Sequence, residues 1–196
     1  EEDFNEILAS HFYLSSLSSD LSVAVSGADA KDNNFGFVPD LGIIRDDFVD
    51  ADSNGNGVTF QGTGKTIGFW KHQNAVAIKG KGRAQVNAVD LQGYIDAIEA
   101  LMLPVPFQLD DADEFQAAHD IMAKRTSDGL ELLLKQLLGT EFNEVSGRGL
   151  QAPYDELQTN LIAWGEHLAA NSSDFSRDDL IAAKDIFDLI NNSGKN

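Results

Sequence analysis

The stretch from Ser127 to Gly139, SDGLELLLKQLLG, decides the fold class of this chain. Its leucines at positions 130, 133, 134, 137 and 138 fall on one side of an α-helix, because the helix turns once in about 3.6 residues. Ser127 is the predicted N-cap, and Gly139 or Gly147 is the predicted end. The stretch therefore predicts an amphipathic helix that packs in a helical core.

Four further apolar stripes of the same period lie between residues 88 and 196. Pro104 ends the first stripe, and Asp110 or Asp111 is the predicted cap of the second. The last begins at Ser176 with Asp179 at the spacing of a capping box. The apolar members are Leu91, Ile95, Ile98 and Met102; Phe115, Ala118 and Met122; Tyr154, Leu157, Leu161, Trp164 and Leu168; and Leu180, Ala183, Phe187 and Ile190. Five such helices joined by short loops predict a bundle.

Residues 1–62 differ in composition from the rest of the chain. From Gly27 to Gly64 the sequence is rich in Gly, Asn and Asp, and its apolar pieces are short, as is typical of turns and short strands. The sequence therefore predicts an α+β fold that is mainly α. A loop-rich segment with short β-strands is expected over 1–62 and a C-terminal bundle of about five helices over 63–196, as two parts or as one continuous domain.

The charge of the chain excludes several kinds of partner. With 14 basic and 32 acidic residues among 196, the net charge is −18, and such a surface repels nucleic-acid phosphates and anionic lipid headgroups. No apolar run approaches the roughly 18 residues of a membrane helix, and the chain has no cysteine for disulfides or thiolate metal sites. We therefore expect no nucleic-acid binding and no membrane insertion.

Acidic residues are absent from Ser53 to Val89, where five basic residues give a charge of +5. The rest of the chain has nine basic and 32 acidic residues, a net charge of −23. A basic segment on an acidic body favours head-to-tail association between copies, although a solvated loop from Lys79 to Arg83 explains the same pattern. The candidate interaction residues are Lys65, Trp70, Lys71, Lys79, Lys81 and Arg83.

A candidate calcium loop spans Asp50 to Gln61, DADSNGNGVTFQ. Oxygen ligands at alternate positions converge on an ion when the following glycine allows the chain to turn tightly around it. The pattern therefore predicts calcium as a structural cofactor. The candidate ligands are Asp50, Asp52, Asn54 and Asn56, with Asp46 or Asp47 as additional carboxylates.

The second half of this loop departs from the EF-hand pattern. Position 12 is Gln61, which cannot supply a bidentate carboxylate, and Val58 to Phe60 has the character of a strand. The loop resembles the isolated calcium loops of dockerins and of extracellular calcium-stabilised repeats. An Asx-rich turn without calcium would produce much of the same string.

A second motif, Thr66-Ile-Gly-Phe-Trp-Lys-His-Gln73, resembles the T-x-G-(F/Y)-W-K-N-H signature of a family of bacterial secreted and surface-anchored proteins. Two later segments are also similar to that family. Leu134 to Gly147 resembles its L-x-x-Q-L-x-x-x-x-x-N-x-x-x-G helix end, and Asp188 to Gly194 resembles its closing L-D-x-x-N-N-G. The likeness spans roughly residues 66–194.

This resemblance implies an extracellular, mostly helical module joined to calcium-rich or adhesive regions, and it implies no particular activity. The chain has His72-Gln73 where the family has Asn-His, so a role of that histidine does not carry over. Phe69 and Trp70 are expected to anchor the first helix of the bundle. The alternative is an exposed Trp70 that stacks on carbohydrate.

The enzyme motifs that we tested do not fit this sequence. Gly64-Lys-Thr66 lacks the earlier glycine of a phosphate loop, because position 59 is Thr. The four histidines show no metal-ligand spacing, and Ser146 lacks the preceding glycine of a nucleophile elbow. The sequence therefore favours a protein that is not an enzyme.

The functional expectation is a non-catalytic structural or adhesive protein that is secreted or displayed at the cell surface. It would be stabilised by calcium and would assemble as a homo-oligomer or polymer, such as a fibre or surface layer. The alternative is a secreted carbohydrate-binding module or hydrolase in which Trp70 and Trp164, or a carboxylate pair, contact substrate. Exposure of Trp70 separates the two, because a buried indole leaves no face for a sugar.

Overall fold

Six α-helices make up most of the chain described by the computed structural model, which is residues 62–101, 107, 109, 113–151 and 155–195. These residues belong to one compact unit, Thr59–Asn196. There are also two short 3-10 helices: Ser172–Asp174 lies between the last two α-helices, and Ser193–Lys195 follows the last one. The helices are α1 Ile67–Lys79, α2 Ala88–Glu99, α3 Glu114–Ala123, α4 Gly129–Val145, α5 Asp155–Ala170 and α6 Arg177–Asn192.

The mainly α prediction is confirmed for the described part of the chain. The five predicted apolar stripes fall on helices α2 to α6, apart from Met102 and Tyr154, which lie outside the described residues. No β-strand occurs within the described ranges, where an isolated antiparallel bridge joins Gly62 to Leu150. The short strands predicted over 1–62 lie outside the described residues.

Helix ends were predicted with mixed success. The capping box at Ser176 and Asp179 is confirmed, with the Ser176 hydroxyl accepting from the Asp179 N–H at 3.2 Å. The Ser127 cap is wrong by one residue, because the Asp128 carboxylate accepts from the Glu131 N–H at 3.0 Å instead. Asp113 takes the cap position of α3 that was predicted for Asp110 or Asp111.

Helix α1 lacks the apolar stripe that predicts the other five helices. Its buried side chains are Trp70, Gln73 and Asn74, two of which are polar. The ends are nevertheless well marked. The Thr66 hydroxyl accepts from the Phe69 N–H at 3.1 Å, and Gly80 ends the helix in the left-handed conformation with φ of 59°, which a glycine adopts without the Cβ clash of other residues.

Helix α4 is the centre of the bundle and contacts each of the other five helices. Every residue from Gln136 to Asn143 is buried, so this helix is enclosed on all sides. Gly147, with φ of 66°, follows its last turn as predicted for a helix end, whereas Gly139 lies inside the helix. A buried polar side chain of α4 can therefore form hydrogen bonds only within the protein.

Two glycines test the packing of the bundle. A Cβ at Gly165 on α5 would lie 2.5 Å from the Phe187 ring and 2.9 Å from Leu137, whereas a Cβ at Gly93 on α2 would meet nothing within 4 Å. We expect Gly165→Ala to lower the free energy of unfolding by about 2 kcal/mol through overpacking. The control Gly93→Ala should raise it by about 0.5–1 kcal/mol. Urea unfolding of both variants measures the difference, and equal stabilities would contradict this packing.

Candidate functional site

Asn143 on α4 connects the segments that carry the family resemblance. Its Oδ1 accepts hydrogen bonds from Trp70 Nε1 at 3.1 Å and from the Lys65 N–H at 2.8 Å. Its Nδ2 donates to the Lys65 carbonyl at 2.9 Å and to Asn191 Oδ1 at 2.8 Å. One buried amide therefore joins the start of α1, the middle of the bundle and the end of α6.

Asn191 extends this network into α4. Its Nδ2 donates to the Gln136 carbonyl at 2.9 Å and to Gln136 Oε1 at 3.0 Å, and its Oδ1 also accepts from Thr140 Oγ1 at 3.1 Å. Asn191, Gln136 and Thr140 are all buried. A buried network with its members paired fixes the relative position of the elements that it joins.

The backbone before α1 is tied to the same place. The Thr63 N–H donates to the Gly149 carbonyl at 2.7 Å, and the Gly64 N–H donates to Ser193 Oγ at 3.3 Å. A Cβ at Gly64 would collide with the Ile190 carbonyl. Gly64 therefore allows the chain to pass between α6 and the segment that follows α4.

Trp70 lies in the core, which corrects its assignment as a candidate interaction residue. It is 0% exposed and stacks on Phe142 with ring centroids 5.0 Å apart. The Arg148 guanidinium lies 5.6 Å from the indole centroid, and Trp164 is only 3% exposed. Neither tryptophan therefore presents a face on which a sugar could stack.

Two buried carboxyl groups have oxygens that lack a hydrogen-bond partner. Glu141 on α4 is 0% exposed and neither of its oxygens has a partner, while Glu166 on α5 is 3% exposed and its Oε1 has none. Burial raises the pKa of Glu166 to about 7. Burial, together with the nearby Glu166 charge, raises the pKa of Glu141 well above its ordinary value. Sequence reasoning missed this pair, because charged residues usually lie on the solvent side of a helix.

A surface pocket in the described part of the chain lies away from this pair. It has a volume of about 350 Å³ and is lined by Asp128, Gly129, Leu130, Ser172, Ser173, Arg177 and Leu180. Glu141 and Glu166 do not contribute to its lining. The shifted carboxyls and the pocket therefore do not form one site.

The predicted calcium ligands, Asp46, Asp47, Asp50, Asp52, Asn54 and Asn56, lie outside the described residues. Among the residues that the structure does describe, no group of three or more His, Asp or Glu side chains could hold a metal ion. His72 is exposed, and His119 lies 2.9 Å from Asp120. Calcium therefore remains a prediction from the loop sequence.

The five cations of the basic segment lie on or near the surface. Lys79, Lys81 and Arg83 are exposed, while Lys65 and Lys71 are half-buried. Lys65 Nζ lies 5.9 Å from the centre of the Phe69 ring. None of the five forms an ion pair with another described residue, since the ion pairs of this part involve His119, Lys124 and Lys184.

Comparison of the chain with protein-family models, with curated proteins and with solved structures gave no match. The resemblance to bacterial secreted and surface-anchored proteins therefore rests on the three motif segments alone. Within the described residues, no helix has the length and apolar character needed to cross a membrane.

Proposed function

We propose that this chain is a non-catalytic structural protein, secreted or displayed at the cell surface, that is stabilised by calcium and assembles with copies of itself. The separation of charge carries the proposal. Lys79, Lys81 and Arg83 are exposed and have no ion-pair partner among the described residues, while the chain outside residues 53–89 has a net charge of −23. Opposite charges that do not neutralise each other within a chain favour contacts between chains.

The burial and hydrogen bonds of the motif residues support a structural function. Trp70, Asn143 and Asn191 are buried and bonded to one another through the amide of Asn143. Because they are occupied in holding α1 against α4 and α6, they are not free to contact a ligand. The location outside the cell is supported by the motif resemblance and by the calcium-loop sequence, and the acidic composition agrees with it.

Removal of calcium provides the first test. If calcium binds the loop at Asp50 to Gln61, saturating calcium should raise the unfolding temperature, because a ligand that binds only the folded state stabilises it by mass action. We expect a chelator to reverse this increase, and we expect Asp50→Asn combined with Asp52→Asn to abolish the response. Differential scanning calorimetry measures both. A matched variant, Asp96→Asn on α2, should keep the full calcium response.

Light scattering on the purified chain, with calcium and then with chelator, tests assembly. The proposal predicts particles much larger than a monomer whose size falls when calcium is removed. A monomer at every protein concentration, with and without chelator, would contradict the assembly. Assembly that persists in chelator would contradict the role of calcium only.

A further inference from the structure

The turn between α1 and α2 carries an unusual combination of exposed side chains. Residues 78–89, which we call the α1–α2 corner, include Ile78 at 41% and Val89 at 81% exposure. These are the exposed large hydrophobic residues of the described part of the chain. They flank the exposed cations Lys79, Lys81 and Arg83. These apolar side chains and cations are therefore available for contact with a partner.

The α1–α2 corner is held in a fixed shape from inside the protein. The buried Gln73 side chain accepts hydrogen bonds through Oε1 from the Gln85 N–H at 2.8 Å and from the Val86 N–H at 3.1 Å. Val86 is itself buried, and Gly82 lies against the Val76 side chain. A loop that is already ordered loses little conformational entropy when it binds, which favours affinity.

None of the three exposed cations of this corner forms an ion pair with another described residue. The nearest acidic residue in sequence after the corner is Asp90, which is itself exposed and accepts a hydrogen bond from Asn87 Nδ2 at 2.6 Å. The three exposed cations therefore face solvent. The chain itself supplies the opposite charge, because its residues outside 53–89 carry −23.

We propose that the α1–α2 corner docks on the acidic surface of a second copy of this chain, with Lys79, Lys81 and Arg83 pairing with carboxylates and Ile78 and Val89 covered at the contact. The contact joins two different surfaces, so it leaves a free acidic face on one copy and a free corner on the other. Such a head-to-tail contact extends into a ring or a filament. This inference rests on the proposed function, since it names the surface through which the copies assemble.

The first test is a pair of charge reversals. Lys81→Glu changes the corner, and Arg125→Glu is the matched control, because Arg125 is also an exposed loop cation without an ion pair among the described residues. The two substitutions change the net charge of the chain by the same amount. We expect Lys81→Glu to weaken self-association at least about tenfold, while Arg125→Glu leaves it near the wild-type value. Sedimentation equilibrium measures the association constants, and circular dichroism checks that both variants fold.

Two outcomes separate the failure of this surface from the failure of the proposed function. If the wild-type chain assembles and the association constant of Lys81→Glu lies within about twofold of the wild-type value, the proposed docking surface is wrong but the proposed assembly stands. If wild type is a monomer at every concentration, both are wrong. Val89→Gln provides a second variant without a change of charge, and it should also weaken the association.

Cross-linking identifies the contact directly. Isotope-labelled and unlabelled chains are mixed and treated with a carbodiimide, which joins lysine amines to carboxylates in direct contact. The proposal predicts that Lys79 and Lys81 link labelled to unlabelled chains more often than Lys124 does. Cross-links between chains that omit Lys79 and Lys81 would overturn it.

Discussion

Replacing Asn143 by alanine is expected to lower the free energy of unfolding by about 4 kcal/mol. The amide of Asn143 makes hydrogen bonds to Trp70, to both backbone groups of Lys65 and to Asn191. Without it, the Trp70 indole N–H and the Lys65 N–H lose the acceptor to which they are bonded. A buried donor left without a partner costs about 1–3 kcal/mol, so two of them account for the expected loss.

The matched control for this variant is Asn160→Ala, which changes an exposed asparagine on α5 and should shift stability by less than about 0.5 kcal/mol. Urea unfolding followed by circular dichroism compares the two. A loss below about 1 kcal/mol for Asn143→Ala would mean that the network does not hold the bundle together. If Asn143→Ala does not fold, Thr140→Val, which removes one hydrogen bond to Asn191, should give a smaller loss in the same direction.

Neutralising the buried carboxyl pair should stabilise the protein in a way that depends on pH. Because the folded pKa of Glu166 is raised to about 7 from an ordinary 4.5, the folded state holds a proton that the unfolded state releases between these values. The contribution of Glu166 to stability is therefore greatest at acidic pH and falls as the pH rises through this window. Glu166→Gln, which stays neutral, should be more stable than wild type by about 3 kcal/mol at about pH 8 and nearly equal to it at about pH 4.

Glu141→Gln should act in the same direction, because burial and the Glu166 charge raise the pKa of Glu141 as well. The two changes are not expected to add, since each removes the repulsion between the same two groups. Glu131→Gln is the control with the opposite sign: its hydrogen bond to Lys124 lowers the pKa of Glu131, so this variant should lose stability mainly above its pKa. A Glu166→Gln variant with the same pH dependence as wild type would contradict the burial of that carboxyl.

Local signals in the sequence predicted the amphipathic helices well. The stripes of α2 to α6 follow from apolar spacing alone, and the capping box at Ser176 and Asp179 is complete within four residues. The cap of α4 was misplaced by one residue because Ser127 and Asp128 are adjacent and both are good N-cap residues. Helix α1 was not part of the stripe pattern because Gln73 and Asn74 face the core beside Trp70.

The buried polar features could not be predicted, because their partners are distant in the sequence. Trp70 and Asn143 are 73 residues apart, and Asn143 and Asn191 are 48 apart. Glu141 is buried because helices surround α4 on all sides, which the sequence of α4 does not reveal. The basic segment was predicted from charge alone, but the exposure of Ile78 and Val89 beside it depends on how the chain turns between α1 and α2.

We propose that copies of this chain assemble through opposite charges. Sedimentation equilibrium of the wild-type chain over a wide range of protein concentration, in calcium, at about 20 mM and about 1 M salt, tests it most directly, since salt at the higher concentration screens charges beyond about 3 Å. We expect a mass that rises with protein concentration in low salt and falls towards the monomer in high salt. A monomer in both buffers, or an assembly indifferent to salt, would contradict it.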